Sequence, residues 1–370
     1  GLFLLGHLVL WTLLPSVLHP NLPLDSVEMY SWGQHWDLGY HKHPPLPAWI
    51  ASGIAHVVPG AAWPIYLAVQ VCIVTCFWAA WRLGREMVSP QLALLGAFLL
   101  ECCYYYTFEA IDLNNNTVLY PFWALAILTF YWAITREHWG WWMATGVLVG
   151  LAMLCKYSAA VLAITMLAYG VLYPEARKWW RTPCPYLMVL AALLVFSPHL
   201  WWAIGNDFPP LRYAMNRTEG GGVWYGHVTY PLEFGSAQLL AVLPMLLVMV
   251  PLTGWRWRKR TCEPSERFNR DFLLAMVLGP FVFHLLVSFV LNIRLRSMYG
   301  SNLWTFAGLA MVFLLQLDTS SRQWRKAWGW CAAVAAIMVA PLALRSMAAP
   351  YVDQVLRIHF PGRELAAEVE

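Results

Sequence analysis

Charge is what this sequence has least of. Asp, Glu, Lys and Arg make up 12% of its 370 residues, where a soluble domain carries about 25%. With 60% hydrophobic residues and a mean hydropathy of +0.52, the chain cannot hide its apolar surface in one globular core. Lipid must solvate most of it. Ordered cysteine is missing too. The 8 cysteines form no Cys-x-x-Cys pair and keep no regular spacing, which leaves neither a disulfide framework nor a zinc motif. Most of them, Cys72, Cys76, Cys102, Cys103, Cys155 and Cys331, lie in apolar runs as small hydrophobes. No Gly-x-x-x-x-Gly-Lys-Ser/Thr loop for nucleotide phosphates is present. The net charge is only +4 and the basic residues form no single face, so nucleic acid is set aside as a partner.

Apolar runs are what it has in abundance. At roughly 20 residues per crossing, candidate spans cover about 1–18, 62–81, 91–108, 117–135, 141–155, 157–173, 184–204, 236–254, 272–291, 303–317 and 328–348. The expected fold class is all-α and polytopic, with about ten or eleven transmembrane helices. Gly1 already stands inside an apolar run, and the chain ends at Glu370 in what reads as the first turns of a helix. The natural protein is expected to be longer at both ends. Residues 1–350 read as one transmembrane domain, and residues 351–370 as the start of a truncated C-terminal extracytoplasmic domain.

Lys and Arg set the orientation. With the first long loop outside, the inner loops collect Arg82, Arg85, Arg136, Arg177, Lys178, Arg181, Arg256, Arg258, Lys259, Arg260, Arg267, Arg270, Arg322, Arg325 and Lys326, the larger share of the 24 basic residues. The outer loops are then mixed in sign. Asp25, Glu28, Asp37, Glu109, Asp112, Asp207, Glu219 and Glu233 all fall there, and Glu101 lies within a span.

The first outer loop reads LDSVEMYSWGQHWDLGYHKHPPLPAWI from Leu24. Met29, Trp32 and Trp36 recur at helical spacing, which predicts a helix along the membrane surface. Asp25 stands where an N-cap would, with Glu28 three residues on as in a capping box. Capping is one reading of Asp25 and chemistry is the other. His35, His41 and His43 suit interfacial packing, and Pro44, Pro45 and Pro47 a rigid turn that starts a second surface helix. In the next outer loop, Asn114, Asn115 and Asn116 read as caps of the following helix, with Glu109 and Asp112 nearby. Lys156 joins two apolar runs, where a lysine can snorkel to the surface or bind an anion. Gly220, Gly221 and Gly222 make a later loop flexible, and its Arg212 and Arg217 are solvated charges or anion contacts. Arg294 and Arg296 follow a long apolar run on the outer side, against the positive-inside trend.

The first loop resembles that of the polyprenol-dependent glycosyltransferases of the GT-C superfamily. It is most similar to the bacterial relatives of protein mannosyltransferases and of the lipid A aminoarabinose transferase. The resemblance rests on Asp25, Trp32, Gln34, Gly39, Tyr40, His43, Pro44 and Pro45 in ungapped register. It extends to about Leu303, with Gly150-Leu151-x-x-Leu154-x-Lys156 as a further shared pattern. The chain departs from the family at Ser26, where a Glu is usual, at Lys42, where many relatives have an acid, and at Asn116, where an acid is common.

The resemblance implies a membrane glycosyltransferase with no obligatory cofactor. It would move a sugar from a polyprenyl phosphate to a lipid, glycan or protein. The expected location is the bacterial inner membrane, with the site facing the periplasm. Asp25 is the implied catalytic base. Lys42, Lys156, Arg294 and Arg296 are expected at the donor phosphate, and Glu28, Tyr40, His43, Asp112 and Asn116 at the substrates. One base and one leaving phosphate imply a single displacement, with inversion at the anomeric carbon. A divalent metal stays open, because Asp25, Glu28, His35, His41 and His43 offer ligands without a fixed zinc spacing. The competing class is a transporter or flippase for a lipid-linked glycan. It would need no base at Asp25 and would be expected to carry internal repeats, which the sequence does not show.

Overall fold

The computed structural model describes residues 1–253, 261, 263–315, 317, 320–348 and 357–359. The basic stretch 256–260 and nearly all of the expected C-terminal extension 351–370 lie outside the described residues. In chain order the helices are α1 (Leu2–Leu18), α2 (Leu24–Gly33), α3 (Leu46–Val57), α4 (Trp63–Met87) and α5 (Pro90–Phe98). Next come α6 (Asn115–Thr135), α7 (Trp139–Cys155), α8 (Ala160–Leu172), α9 (Pro174–Arg177) and α10 (Cys184–Gly205). The last five are α11 (Pro209–Thr218), α12 (Gly226–Thr253), α13 (Arg267–Leu291), α14 (Ala307–Leu314) and α15 (Ser321–Ala348). The chain is an all-α integral membrane protein.

Each expected apolar run falls on a helix, but the lengths differ from a set of full crossings. Among the described residues 6 helices are long and apolar enough to span, or 7 if the bent pair Tyr157–Leu172 and Pro174–Arg181 counts as one. The others are shorter. A helix of 17 residues such as Leu2–Leu18 is about 25 Å long against a hydrocarbon core of about 30 Å. The run expected at 91–108 leaves α-helix at Leu99 and continues as 3-10 turns through Cys102 and Tyr106, where Glu101 interrupts the apolar sequence.

α6 is the centre of the bundle: 83% of its apolar window is buried, against 22% for α10 and for α15, which face lipid. Lipid supplies no hydrophobic drive between helices, so small residues must let backbones approach. Gly146 and Gly150 on α7 do this against α10. A Cβ at Gly146 would enter the Met188 carbonyl, and one at Gly150 would stand 2.7 Å from Val195 Cβ. Gly96 on α5 and Gly308 on α14 meet in the same way.

Both surface helices of the first loop form, with different bounds from the spacing. α2 stops at Gly33, so Trp36, at φ 50°, lies beyond it. α3 begins after Pro45, with Pro47 in its first turn, where a missing N–H costs nothing. The two helices touch at Gly33, where a Cβ would collide with the Ala48 carbonyl.

Gly146→Ala should therefore destabilise the detergent-solubilised protein by about 1–3 kcal/mol, read as a lower Tm. Gly6→Ala, which meets nothing within 4 Å, should leave Tm unchanged or slightly raised.

Candidate active site

α2 does not use Asp25 as its cap. The N-cap is Pro23, no side chain caps the helix, and Asp25 stands inside the first turn, where the helix dipole favours a negative charge. Glu28 closes no capping box. It pairs instead with Lys42.

The residue after Asp25 organises the site. Ser26 is fully buried. Its backbone N–H and its hydroxyl both donate to Asp112 Oδ1, at 2.8 and 2.5 Å. The hydroxyl oxygen accepts in turn from the Leu113 N–H at 2.8 Å. Two loops 86 residues apart are joined there, and Asp112 stands beside Asp25. Burial first, and then the Asp25 charge, push the Asp112 carboxyl up to about 7. These two acids open onto a cavity of about 480 Å³ that His19, Glu109 and Arg345 also line. Burial also raises the Glu109 carboxyl. Burial, followed by the His359 and Arg345 charges, lowers His19 to about 4.

The three asparagines divide their work. Asn114 caps α6 in a capping box with Thr117, whose hydroxyl also donates to the Asp112 carbonyl at 2.8 Å. Asn115 donates to the Cys155 carbonyl at 2.8 Å. Asn116 accepts from Lys156 Nζ at 2.7 Å. The first turn of α6 thus links Asp112 to Lys156.

Lys156 is only 9% exposed. Its ammonium lies 4.2 Å from the centre of the Tyr299 ring, and no carboxylate within ion-pair distance of it is found among the described residues. Burial pulls its pKa down to about 7. Lys42 lies over Trp32 at 5.6 Å and Tyr213 at 5.9 Å. His43 sits near both lysines: burial, then the charges of Lys156, Lys42 and His41, lower it to about 3. Tyr40 stacks on Trp32 at 5.4 Å, and its N–H donates to the His43 carbonyl at 3.1 Å. The Tyr40 hydroxyl is buried without a hydrogen-bond partner. Burial, then the Asp37 charge, raise it to about 12.

The two outer arginines part company. Arg294 makes a bidentate pair with Glu233, at 2.9 and 2.7 Å, so its charge is already matched. Arg296 is exposed, and its charge and that of Arg217 reach Tyr299. Beside them an apolar groove of about 750 Å³ runs between α8, α11 and α13, lined by Val161, Met215, Phe283, Val287 and Tyr299. Among the described residues no group of three or more His, Cys, Asp or Glu is placed to hold a metal ion. The sequence reading missed His199, which is fully buried. It binds the Leu38 carbonyl at 2.7 Å and the Tyr157 hydroxyl at 2.8 Å, and so pins the first loop to α10. Gly39 permits this approach, since a Cβ there would stand 2.8 Å from the His199 ring.

Known proteins share parts of this sequence and its fold. Residues 42–202 match the family model described as dolichyl-phosphate-mannose-protein mannosyltransferase. The lipid A galacturonosyltransferase RgtD of Rhizobium johnstonii is 25% identical over 251 residues, covering 66% of this chain and 51% of that protein. The lipopolysaccharide core galacturonosyltransferase RgtA of the same organism is 25% identical over 328 residues, covering 87% of this chain and 60% of that protein. This chain therefore spans only 51% and 60% of the length of these curated relatives. The crystal structure of ArnT from Cupriavidus metallidurans bound to undecaprenyl phosphate superposes with a TM-score of 0.65 at 17% identity, over 98% of this chain and 66% of that one. The apo structure of the same protein gives 0.66 at 18% identity over the same shares. Residues 42–202 thus match the mannosyltransferase-type family model, and the chain as a whole has the fold of ArnT.

Proposed function

We propose that this protein is a membrane glycosyltransferase that moves a sugar from a polyprenyl-phosphate donor to an acceptor hydroxyl on the periplasmic face of a bacterial inner membrane. The acceptor class we put first is lipid A or the lipopolysaccharide core, named for the two relatives, with a uronic acid as the sugar. The observation that carries the reading is one connected site. The neighbouring acids Asp25 and Asp112 are tied through the first turn of α6 to a buried lysine whose ammonium lies over Tyr299, a residue on the wall of an apolar groove.

A lipid-linked donor needs a place for its tail, cations for its phosphate and a base for the acceptor. The groove beside Tyr299 takes the tail. Lys42 and Lys156 take the phosphate. An arriving anion restores the charged form of Lys156 that burial disfavours. Glu28 and the Trp32 ring orient Lys42, and Asn116 orients Lys156. Arg296 adds a third cation, whereas Arg294 anchors its segment through Glu233. Neighbouring carboxylates do not both ionise readily, so Asp112 keeps a proton and hydrogen-bonds the sugar, leaving Asp25 as the base. The neutral His43 and the unpartnered Tyr40 hydroxyl offer further hydrogen bonds to the sugar.

In the reaction the acceptor oxygen attacks the anomeric carbon as its proton passes to Asp25. The bond from that carbon to the phosphate oxygen breaks, and polyprenyl phosphate leaves with the electron pair. The lysines stabilise the charge it gains, often the largest catalytic term. A flippase would need neither the base nor this pairing of acids.

Three outcomes are expected of the full-length protein in membranes. Asp25→Asn should lower donor consumption by about 10² to 10⁴, whereas Asp112→Asn should stay within about tenfold of wild type, since an amide mimics the protonated acid. Equal consumption by wild type and Asp25→Asn would overturn the base. Lys156→Ala should weaken polyprenyl phosphate binding about tenfold or more, the worth of a charged hydrogen bond, in a titration followed by Tm. The third concerns pH. Folded Asp112 holds its proton up to about 7, while the unfolded chain releases it near 3.9. At Asp112 the folded state therefore binds more protons over that window, and this group's contribution to stability falls as pH rises from 4 to 7, opposed by His19 and His43, which burial keeps neutral. The Tm of wild type minus that of Asp112→Asn should therefore fall across this range, and a constant difference would contradict the raised Asp112 carboxyl.

A further inference from the structure

A second polar cluster lies inside the membrane region and takes no part in the chemistry above. It joins His7 and Trp11 of α1, Gln70 of α4 and Glu101 of the turn after α5, all of them buried. Ionisable groups at such depth are costly and are retained for a reason. His7 Nδ1 meets Glu101 Oε2 at 2.6 Å, and His7 Nε2 meets Gln70 Oε1 at 3.1 Å. Trp11 Nε1 donates to Glu101 Oε1 at 3.1 Å. Gln70 Nε2 donates to the Ala110 carbonyl at 2.7 Å.

The chemistry of the two ends fixes every role between them. A carbonyl only accepts, so the Gln70 amide nitrogen must face Ala110. Its oxygen is then left for His7, and His7 Nε2 must carry a proton. Nδ1 is left facing the carboxyl group, with a single proton shared between Nδ1 and Oε2. The Glu101–His7 pair thus prevents the Gln70 amide from flipping. Ala110 stands two residues before Asp112, on the side of the turn away from the Ser26 clasp in sequence.

We propose that Gln70 is a positioning residue. Its amide holds the Ala110 carbonyl and sets the turn that presents Asp112 to the sugar, with Glu101 and His7 as the brace behind it. This rests on the reading of Asp112 as part of the reaction site. The role is mechanical: no proton or bond changes hands.

The test is steady-state kinetics on the full-length protein. Gln70→Met keeps the length and removes both hydrogen bonds. It should lower kcat about tenfold, the worth of one buried hydrogen bond, with KM for the donor within about twofold. Glu101→Gln should keep wild-type kcat, because its amide donates to Nδ1 and its oxygen still accepts from Trp11. In an Asp112→Ala background, which leaves nothing to position, Gln70→Met should cost no further kcat. A tenfold loss repeated in that background would overturn the positioning role, as would wild-type kcat in Gln70→Met. If Asp112→Ala itself turns over like wild type, the reading of the site falls and this proposal with it. Should Gln70→Met lose its fold, hydrogen exchange at residues 110–113 of Glu101→Ala, which removes the bonds to His7 and Trp11, decides instead, with faster exchange than wild type expected and wild-type protection contradicting the brace.

Discussion

The clasp between Ser26 and Asp112 is the contact on which the outer end of the molecule depends. One buried serine spends its N–H and its hydroxyl on a single carboxylate oxygen and still accepts from the Leu113 backbone. A carboxylate taken out of water is tolerated only with such partners. The clasp closes the first outer loop onto the second, brings Asp112 beside Asp25, and fixes the residues that lead into α6. Through Asn116, the first turn of that helix then reaches Lys156. Two acids and a buried lysine are held on a common frame although they come from three separate segments. Asp112 thus brings a carboxylate from the second loop to the residue next to Asp25 in sequence.

The frame is stiff because the bundle beneath it packs backbone to backbone. α6 is buried on nearly all sides, and glycine contacts bring α7 against α10 and α5 against α14. The first loop is fastened to that frame at the Gly33–Ala48 contact between α2 and α3 and at His199. A site assembled from loops becomes precise only when its supports are rigid. The polar brace at Glu101 extends the same logic into the membrane, where a hydrogen-bonded network has few competitors.

Much of this was legible in the sequence because apolar runs and turn residues act locally. The spans, the two surface helices and the Asn114 cap all follow from spacing and composition. Lys156 stood out as a cation between apolar runs. Asp25 was harder: its place at a helix start suggested a cap, yet Pro23 is the N-cap and Asp25 stands inside the first turn. What stayed hidden was pairing across long separations. Nothing near Ser26 announces Asp112, nothing near Arg294 announces Glu233, and nothing around His199, in the run Ser197-Pro198-His199-Leu200, announces its partners Leu38 and Tyr157. The short and bent crossings were also obscured, because hydropathy counts residues and does not see where a helix unwinds.

The account stands on a single displacement by one base against one leaving phosphate. The most direct test is to determine the anomeric configuration of the sugar in donor and product by NMR, using the full-length protein and a purified polyprenyl-phosphate sugar. Inversion is the predicted result. Retention would require a second displacement through a glycosyl-enzyme intermediate, and would contradict the role given to Asp25.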